Sequence, residues 1–187
     1  MMNRTKKFLI LGVALSLALS GPPAVRAQTG VPEYEVKAAF LFNFAKFVSW
    51  PPEAFSDSHS PIRIGILGED PFGVALEKTV QNQTISGRSF VIERSRHIQE
   101  LKDCHILFIS RSEDAALGEI FQELKGSDIL TIGESENFSG RGGMIHFIKT
   151  ANKIRFEINI DLATGAGLEI SSKLLQLAIV IHSTGSA

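Results

Sequence analysis

Cysteine is nearly absent from this chain of 187 residues, which contains only Cys104. A single cysteine excludes an internal disulfide bond, so any disulfide would have to join two chains. Cys104 opens an apolar run at residues 105–110, and a free cysteine in such a run is typically a small buried side chain rather than a reactive thiol. We therefore predict that Cys104 is buried.

The chain also lacks a large excess of either charge. Its 19 lysine and arginine residues are balanced by 20 aspartate and glutamate residues, a net charge of -1, and no basic tail is present. This balance excludes a protein whose main task is to bind nucleic-acid phosphates. With 44% hydrophobic and 21% charged residues, the chain is too apolar for intrinsic disorder and is about the size of one domain.

Recognisable catalytic and metal-binding motifs are missing. The sequence has no His-x-x-x-His or Cys-x-x-Cys pair and no Gly-x-Ser-x-Gly elbow. Residues 68–73 have the glycine spacing of a phosphate-binding loop, but Val74 and Ala75 replace the required lysine and hydroxyl residue, and Glu69 and Asp70 would repel phosphate. We therefore predict a protein that is not an enzyme, with no catalytic residue, no metal and no cofactor.

No hydrophobic run is long enough to span a membrane. The run at residues 8–19 is shorter than the roughly 20 residues that a spanning helix needs. Basic residues precede this run and a Gly-Pro-Pro break follows it, which is the arrangement of a secretory signal peptide. We predict cleavage after Ala27, so that residues 1–27 are a signal peptide and residues 28–187 form a domain exported to the periplasm.

A first helix is predicted between Pro32 and Trp50. Pro32 suits the first turn, Glu33 and Glu35 favour the positive end of the helix dipole, and two prolines follow Trp50. The residues at helical spacing that predict its apolar face are Val36, Ala39, Phe40, Asn43, Phe44 and Phe47. Phe42 widens this stripe, so the aromatic surface must be buried in the domain or covered by a partner.

Short apolar runs then alternate with helical patterns. Strands are predicted at residues 62–67, 90–92, 105–109 and 129–132. Helices are predicted at residues 97–102 and 115–125, and another helix is predicted to begin at Pro71 with Asp70 as its N-cap. This order predicts a single three-layer α/β domain with a mostly parallel sheet, similar to flavodoxin or Rossmann folds.

The pattern changes near the C-terminus. Residues 144–150 and 154–160 predict an antiparallel hairpin, because apolar and polar residues alternate strictly in the second run. A last helix is predicted from about Leu168. The residues predicted on its core side are Ile170, Leu174, Leu177, Ala178 and Ile181.

Two kinds of binding surface are compatible with these residues. A protein partner would contact the aromatic first helix, or the polar face of the hairpin and last helix. The candidate partner-binding residues are Phe40, Phe44, Trp50, Arg155, Glu157 and Lys173. A small ligand would instead lie at the carboxyl ends of the parallel strands. The candidate ligand-binding residues are Gly68, Asp70, Gly133 and Glu134.

Five segments, in order, resemble the YfiR-like family. They are YEVKAAFLFNFAKFVSWP at residues 34–51, GILGEDPFG at 65–73, CHILFIS at 104–110, GGMIHF at 142–147 and ISSKLL at 170–175. The resemblance extends from about Tyr34 to Ile181. Five ordered matches are far more specific than any one of them.

The resemblance implies a small periplasmic protein without catalytic activity. Such a protein would bind the periplasmic sensor domain of an inner-membrane diguanylate cyclase and repress it, which lowers cyclic-di-GMP and restrains exopolysaccharide and biofilm. The family also implies a homodimer and sequestration by an OmpA-like outer-membrane lipoprotein. Disulfide-based redox control, known in this family, is excluded within the chain because Cys104 has no partner. The alternative is a periplasmic small-ligand binding or sensor protein that works without a cyclase.

Overall fold

A seven-stranded sheet is the centre of the computed structural model, which describes residues 31–151 and 153–183. The strands are β1 (Val48–Ser49), β2 (Ile62–Leu67), β3 (Phe90–Ser95), β4 (Ile106–Ile109), β5 (Leu130–Gly133), β6 (Ile145–Thr150), β7 (Lys153–Asn159), β8 (Glu169–Ile170) and β9 (Ile179–Ile181). The order across the large sheet is β3-β2-β4-β5-β6-β7-β9, and β1 pairs with β8 in a small antiparallel sheet. In the large sheet, β3, β2, β4, β5 and β6 are parallel to one another. Strand β7 is antiparallel to β6, and β9 is parallel to β7.

Helices cover both faces of this sheet. The α-helices are α1 (Glu33–Phe47), α2 (Ala75–Val80), α3 (Leu117–Glu123), α4 (Ile160–Gly165) and α5 (Ser172–Leu175). Helices α1 and α2 pack against one face, whereas α3 and a short 3-10 helix at Ile98–Leu101 pack against the other. The structure therefore confirms the predicted three-layer α/β domain.

Strand β4 shows why the central strands form. All four of its residues are completely buried, and they alternate between the two cores: Ile106 and Phe108 face α1 and α2, whereas Leu107 and Ile109 face α3. A strand covered on both faces needs apolar residues at every position, which is the pattern of a buried parallel sheet.

Helix α1 is shorter than predicted and buries a different face. It ends at Phe47, and its buried side chains are Lys37, Ala38, Leu41, Phe44 and Ala45. Of the predicted apolar face only Phe44 is fully buried, and Ala39 is exposed. The small side chains Ala38 and Ala45 lie on the buried face, which lets the helix backbone approach the sheet closely.

The predicted last helix is wrong. Residues 168–181 instead form β8, the single turn of α5 and the edge strand β9. Ile179, Val180 and Ile181 pair with Glu157, Ile158 and Asn159. Three consecutive β-branched residues favour a strand, and this pairing satisfies backbone groups of β7 that would otherwise lie at the edge.

The predicted N-cap at Asp70 is also wrong, because α2 begins only at Ala75. Asp70 Oδ1 accepts a hydrogen bond of 2.7 Å from the backbone N–H of Phe72, which closes a local turn. Its other oxygen accepts from Arg94 Nε at 2.7 Å. The side chain therefore stabilises the loop before the helix rather than the helix itself.

The antiparallel hairpin of β6 and β7 is confirmed, with Phe147 opposite Phe156. The predicted signal peptide, residues 1–27, lies outside the described residues. Within residues 31–151 and 153–183, no helix has the length and apolar character needed to cross a membrane.

Candidate functional site

The strand order opens a crevice at the carboxyl edge of the parallel sheet. The chain leaves β2 toward β3 on one side and leaves β4 toward β5 on the other, although β2 and β4 are neighbours. The loops that follow these two strands therefore diverge, and such a switch point is where ligands bind in open α/β sheets.

A cleft of about 760 Å³ occupies this crevice. Its charged lining residues are Glu33 and Lys37 from α1, Glu69 and Asp70 after β2, Arg111 after β4, Glu134 and Glu136 after β5, and Lys149 from β6. Acidic side chains outnumber basic ones, so the lining opposes a ligand that carries two or more negative charges.

A buried ion-pair network lies in this cleft. The ammonium group of Lys37, only 3% exposed, donates to Glu33 Oε1 at 2.5 Å and to Glu134 Oε2. The Tyr34 hydroxyl donates to the other oxygen of Glu134 at 2.9 Å, and the Lys37 ammonium lies 4.5 Å from the centre of the Tyr34 ring. The network joins the first turn of α1 to the end of β5.

This network shifts the pKa values of two of its members. Burial, followed by the hydrogen bond to Glu134, raises the pKa of Tyr34, so the phenol stays protonated and acts as a donor. Although burial opposes the change, hydrogen bonds from Lys149 and Lys37 lower the pKa of Glu33. Glu33 is therefore the carboxylate that links both lysines, with Lys149 Nζ 2.5 Å from its second oxygen.

Arg111 differs from the other basic groups of the cleft. One of its terminal nitrogens donates to the backbone carbonyl of Glu134 at 3.1 Å. Among the residues described in the structure, no carboxylate forms an ion pair with its guanidinium group. Asp70 lines the same cleft, but its carboxylate is paired with Arg94 rather than with Arg111.

The cleft contains two of the four predicted ligand-binding residues. Asp70 and Glu134 line it, as expected for residues that follow parallel strands. Gly68 and Gly133 do not line it. Gly68 has a φ of +91°, and a side chain there would overlap Ser112 and Glu113. Gly133 is the site where the Phe138 ring contacts the backbone.

Sequence reasoning missed Tyr34, Lys37 and Arg111. Arg111 lies two residues beyond the end of β4, so the rule that selected Asp70 and Glu134 would have found it if applied to β4. Glu33 and Lys37 are four residues apart, a spacing typical of helical ion pairs, but nothing local indicates that Lys37 is buried.

Comparison with known proteins identifies the family. A family model described as YfiR/HmsC-like matches residues 34–179, well over half of the chain. The chain belongs to this family. No curated protein matches it significantly.

A solved structure shares the fold of this YfiR/HmsC-like chain. A conserved domain protein from Vibrio cholerae O1 biovar El Tor strain N16961 superposes with a TM-score of 0.53 at 11% sequence identity. The match covers 81% of this chain, which spans 60% of the length of that protein. At this identity the likeness shows the fold alone.

The aromatic residues of the YfiR/HmsC-like opening segment belong to the core or pack against it in this structure. Phe44 is completely buried, with ring centroids 5.1 Å from Phe156 and 6.0 Å from Phe40. Phe40 is partly buried and packs against the same core. Trp50 donates from Nε1 to the His105 carbonyl at 3.2 Å. These contacts explain the aromatic surplus of α1, and Phe44 offers no exposed surface to a partner.

One of the three polar residues predicted to bind a partner, Glu157, already has hydrogen-bond partners within the chain. Glu157 accepts a hydrogen bond of 2.8 Å from the Ser139 hydroxyl and lies 3.3 Å from His146 Nδ1. Arg155 and Lys173 are exposed, on β7 and α5 respectively.

Cys104 and His105 immediately precede the central strand β4, and both are buried. The Cys104 side chain is buried, as predicted. This burial, reinforced by Glu93, raises the pKa of its thiol to about 12. Burial lowers the pKa of His105. Its Nδ1 accepts a hydrogen bond of 3.0 Å from the backbone N–H of Arg63, and its Nε2 lies 3.0 Å from the Ala54 carbonyl oxygen. These partners suit a neutral imidazole.

Within the described ranges, no cluster of histidine, cysteine and acidic residues is placed to bind a metal ion.

Proposed function

We propose that this YfiR/HmsC-like protein is a periplasmic, non-enzymatic regulator that binds the periplasmic domain of an inner-membrane diguanylate cyclase and represses it. Repression would lower cyclic-di-GMP and restrain exopolysaccharide and biofilm production. The observation that carries the proposal is family membership over residues 34–179. The signal-peptide pattern at residues 1–27 and the missing catalytic motifs support it.

Repression of this kind works by population shift. The regulator must bind the inactive state of the cyclase more tightly than the active state, because equal affinity for both states would change nothing. No covalent step is needed, so a folded surface of suitable shape is sufficient.

The C-terminal edge of the large sheet carries exposed apolar side chains. Leu177 is 68% exposed and Val180, on edge strand β9, is 40% exposed. Lys173 lies on the same short segment and is exposed. We propose that this edge contacts the cyclase.

We further propose that the protein is a homodimer and that an OmpA-like outer-membrane lipoprotein relieves repression by sequestering it.

Deletion of the gene should raise intracellular cyclic-di-GMP. A plasmid copy with residues 1–27 should restore the low level, whereas a copy without them should not, because the sensor domain is reached only from the periplasm. Cyclic-di-GMP extracted from each strain and quantified by mass spectrometry checks this. An unchanged level in the deletion strain, with the cyclase confirmed as expressed, would contradict the proposal.

A second function is favoured by the cleft. The 760 Å³ space lies at the switch point of the sheet and carries buried polar groups. Pockets of this size and position commonly bind small molecules. We propose that the protein also binds a small ligand there, either to tune the regulator or as a role independent of a cyclase.

A further inference from the structure

We propose that the cleft binds a small monocarboxylate through the guanidinium group of Arg111. This inference rests on the proposed ligand-binding function of the cleft and names the class of ligand. It does not depend on the cyclase, because the binding can be measured with this chain alone.

The first support is the position of Arg111. It begins the 3-10 helix Arg111–Ala116 directly after β4, one of the two strands that form the switch point. Its hydrogen bond to the Glu134 carbonyl, 3.1 Å long, fixes one side of the guanidinium group, and its other donors have no acceptor among the described residues.

The second support is that neighbouring acids do not neutralise this group. Both oxygens of Glu134 accept hydrogen bonds from other side chains, one from Tyr34 and one from Lys37. The other basic groups of the cleft do have carboxylate partners: Lys37 pairs with Glu33 and Glu134, and Lys149 pairs with Glu33. In the part of the chain that the structure describes, Arg111 is thus a cation in the cleft without an ionic partner.

The chemistry of the group and its surroundings selects the ligand. A planar guanidinium group matches the two oxygens of a carboxylate. Glu69, Asp70 and Glu136 line the same cleft and oppose a second negative charge or a phosphate. Pro71 and Ile148 provide an apolar lining for the body of the ligand. The ligand is therefore a monocarboxylate whose remainder is neutral or cationic.

Calorimetric titration of the exported chain tests this inference with five probes: butyrate, 4-aminobutyrate, butyramide, succinate and inorganic phosphate. We expect the affinity for each of the two monocarboxylates to be at least about tenfold higher than for the neutral amide, because the amide cannot form the charge-assisted pair. We expect succinate and phosphate to bind more weakly than the monocarboxylates.

Matched variants assign the binding to Arg111. Arg111→Gln should weaken butyrate binding about tenfold or more, and Arg111→Lys should give an intermediate loss because it keeps the charge without the fork. Arg155→Gln is the control, since Arg155 is exposed on β7 outside the cleft lining and its replacement should not change affinity. Thermal unfolding of each variant verifies that it is folded.

The outcomes separate the two claims. Butyramide binding as tightly as butyrate, or full affinity in folded Arg111→Gln, would overturn the monocarboxylate inference. Tighter binding of succinate or phosphate would overturn the ligand class and leave a ligand-binding cleft. Failure of every probe at millimolar concentration would overturn the inference and count against the ligand-binding function, while leaving cyclase repression intact.

Discussion

Replacement of Gly143 by alanine should lower the free energy of unfolding by about 3 kcal/mol, the upper range for overpacking a core. Phe138 is completely buried, and its ring is in contact with the backbone at both Gly133 and Gly143. A methyl group at Gly143 would overlap the ring, and the ring has little room to move because Phe121 packs edge-on against it at 5.4 Å. Urea unfolding followed by circular dichroism measures the loss.

Gly118→Ala is the matched control. Gly118 is exposed in α3 with no heavy atom within 4 Å of the position of the new methyl group. Alanine should therefore stabilise the protein by about 0.5–1 kcal/mol, because it removes backbone freedom from the unfolded chain. Equal stabilities of the Gly143→Ala variant and the parent protein would contradict the tight packing of Phe138.

Glu134→Ala should destabilise the protein by about 3 kcal/mol, the lower part of the range for breaking a buried ion pair. The substitution leaves the ammonium group of Lys37 buried with Glu33 as its remaining carboxylate. The double substitution Lys37→Met with Glu134→Leu should recover stability to within about 1 kcal/mol of the parent, because it removes both charges together. Chemical unfolding of the single and double variants measures both effects.

Asp114→Ala provides the comparison at the surface. Asp114 pairs with Arg141 at 2.7 Å, but the two side chains are 51% and 35% exposed. Loss of this pair should cost less than about 1 kcal/mol because water screens it. If Glu134→Ala were no more harmful than Asp114→Ala, or if the double variant were as unstable as the single one, the buried network would not have the role assigned to it.

The sheet was predictable because its signals are local. The run Ile106–Ile109 is apolar at every position, as a strand covered on both faces requires, and the strict alternation in β7 marks a strand with one buried face. The same principle located part of the cleft: Asp70 and Glu134 follow parallel strands and do lie at its lining.

The errors arose where the outcome depends on distant residues. Lys37 is buried because Glu134, 97 positions away, accepts a hydrogen bond from its ammonium group. The sequence around Lys37 cannot contain that information. The final segment was predicted as a helix from the spacing of its apolar residues. The last three residues of this segment, Ile179–Ile181, instead form β9, because the open edge of β7 supplies hydrogen-bonding partners.

Gly133 illustrates a different ambiguity. A glycine at the end of a buried strand is compatible with a ligand that approaches the backbone, and equally with a side chain that does so. Here the approaching group is the ring of Phe138. Only the three-dimensional packing distinguishes these two uses of glycine.

The most direct test of the proposed regulatory role is the activity of the proposed target, a full-length diguanylate cyclase, in lipid nanodiscs titrated with the exported chain. We expect saturable inhibition of cyclic-di-GMP synthesis. Leu177→Asp should weaken it about tenfold, whereas Val74→Asp, at a side chain of similar exposure near α2, should leave it unchanged. Full cyclase activity in the presence of excess folded protein would contradict the account.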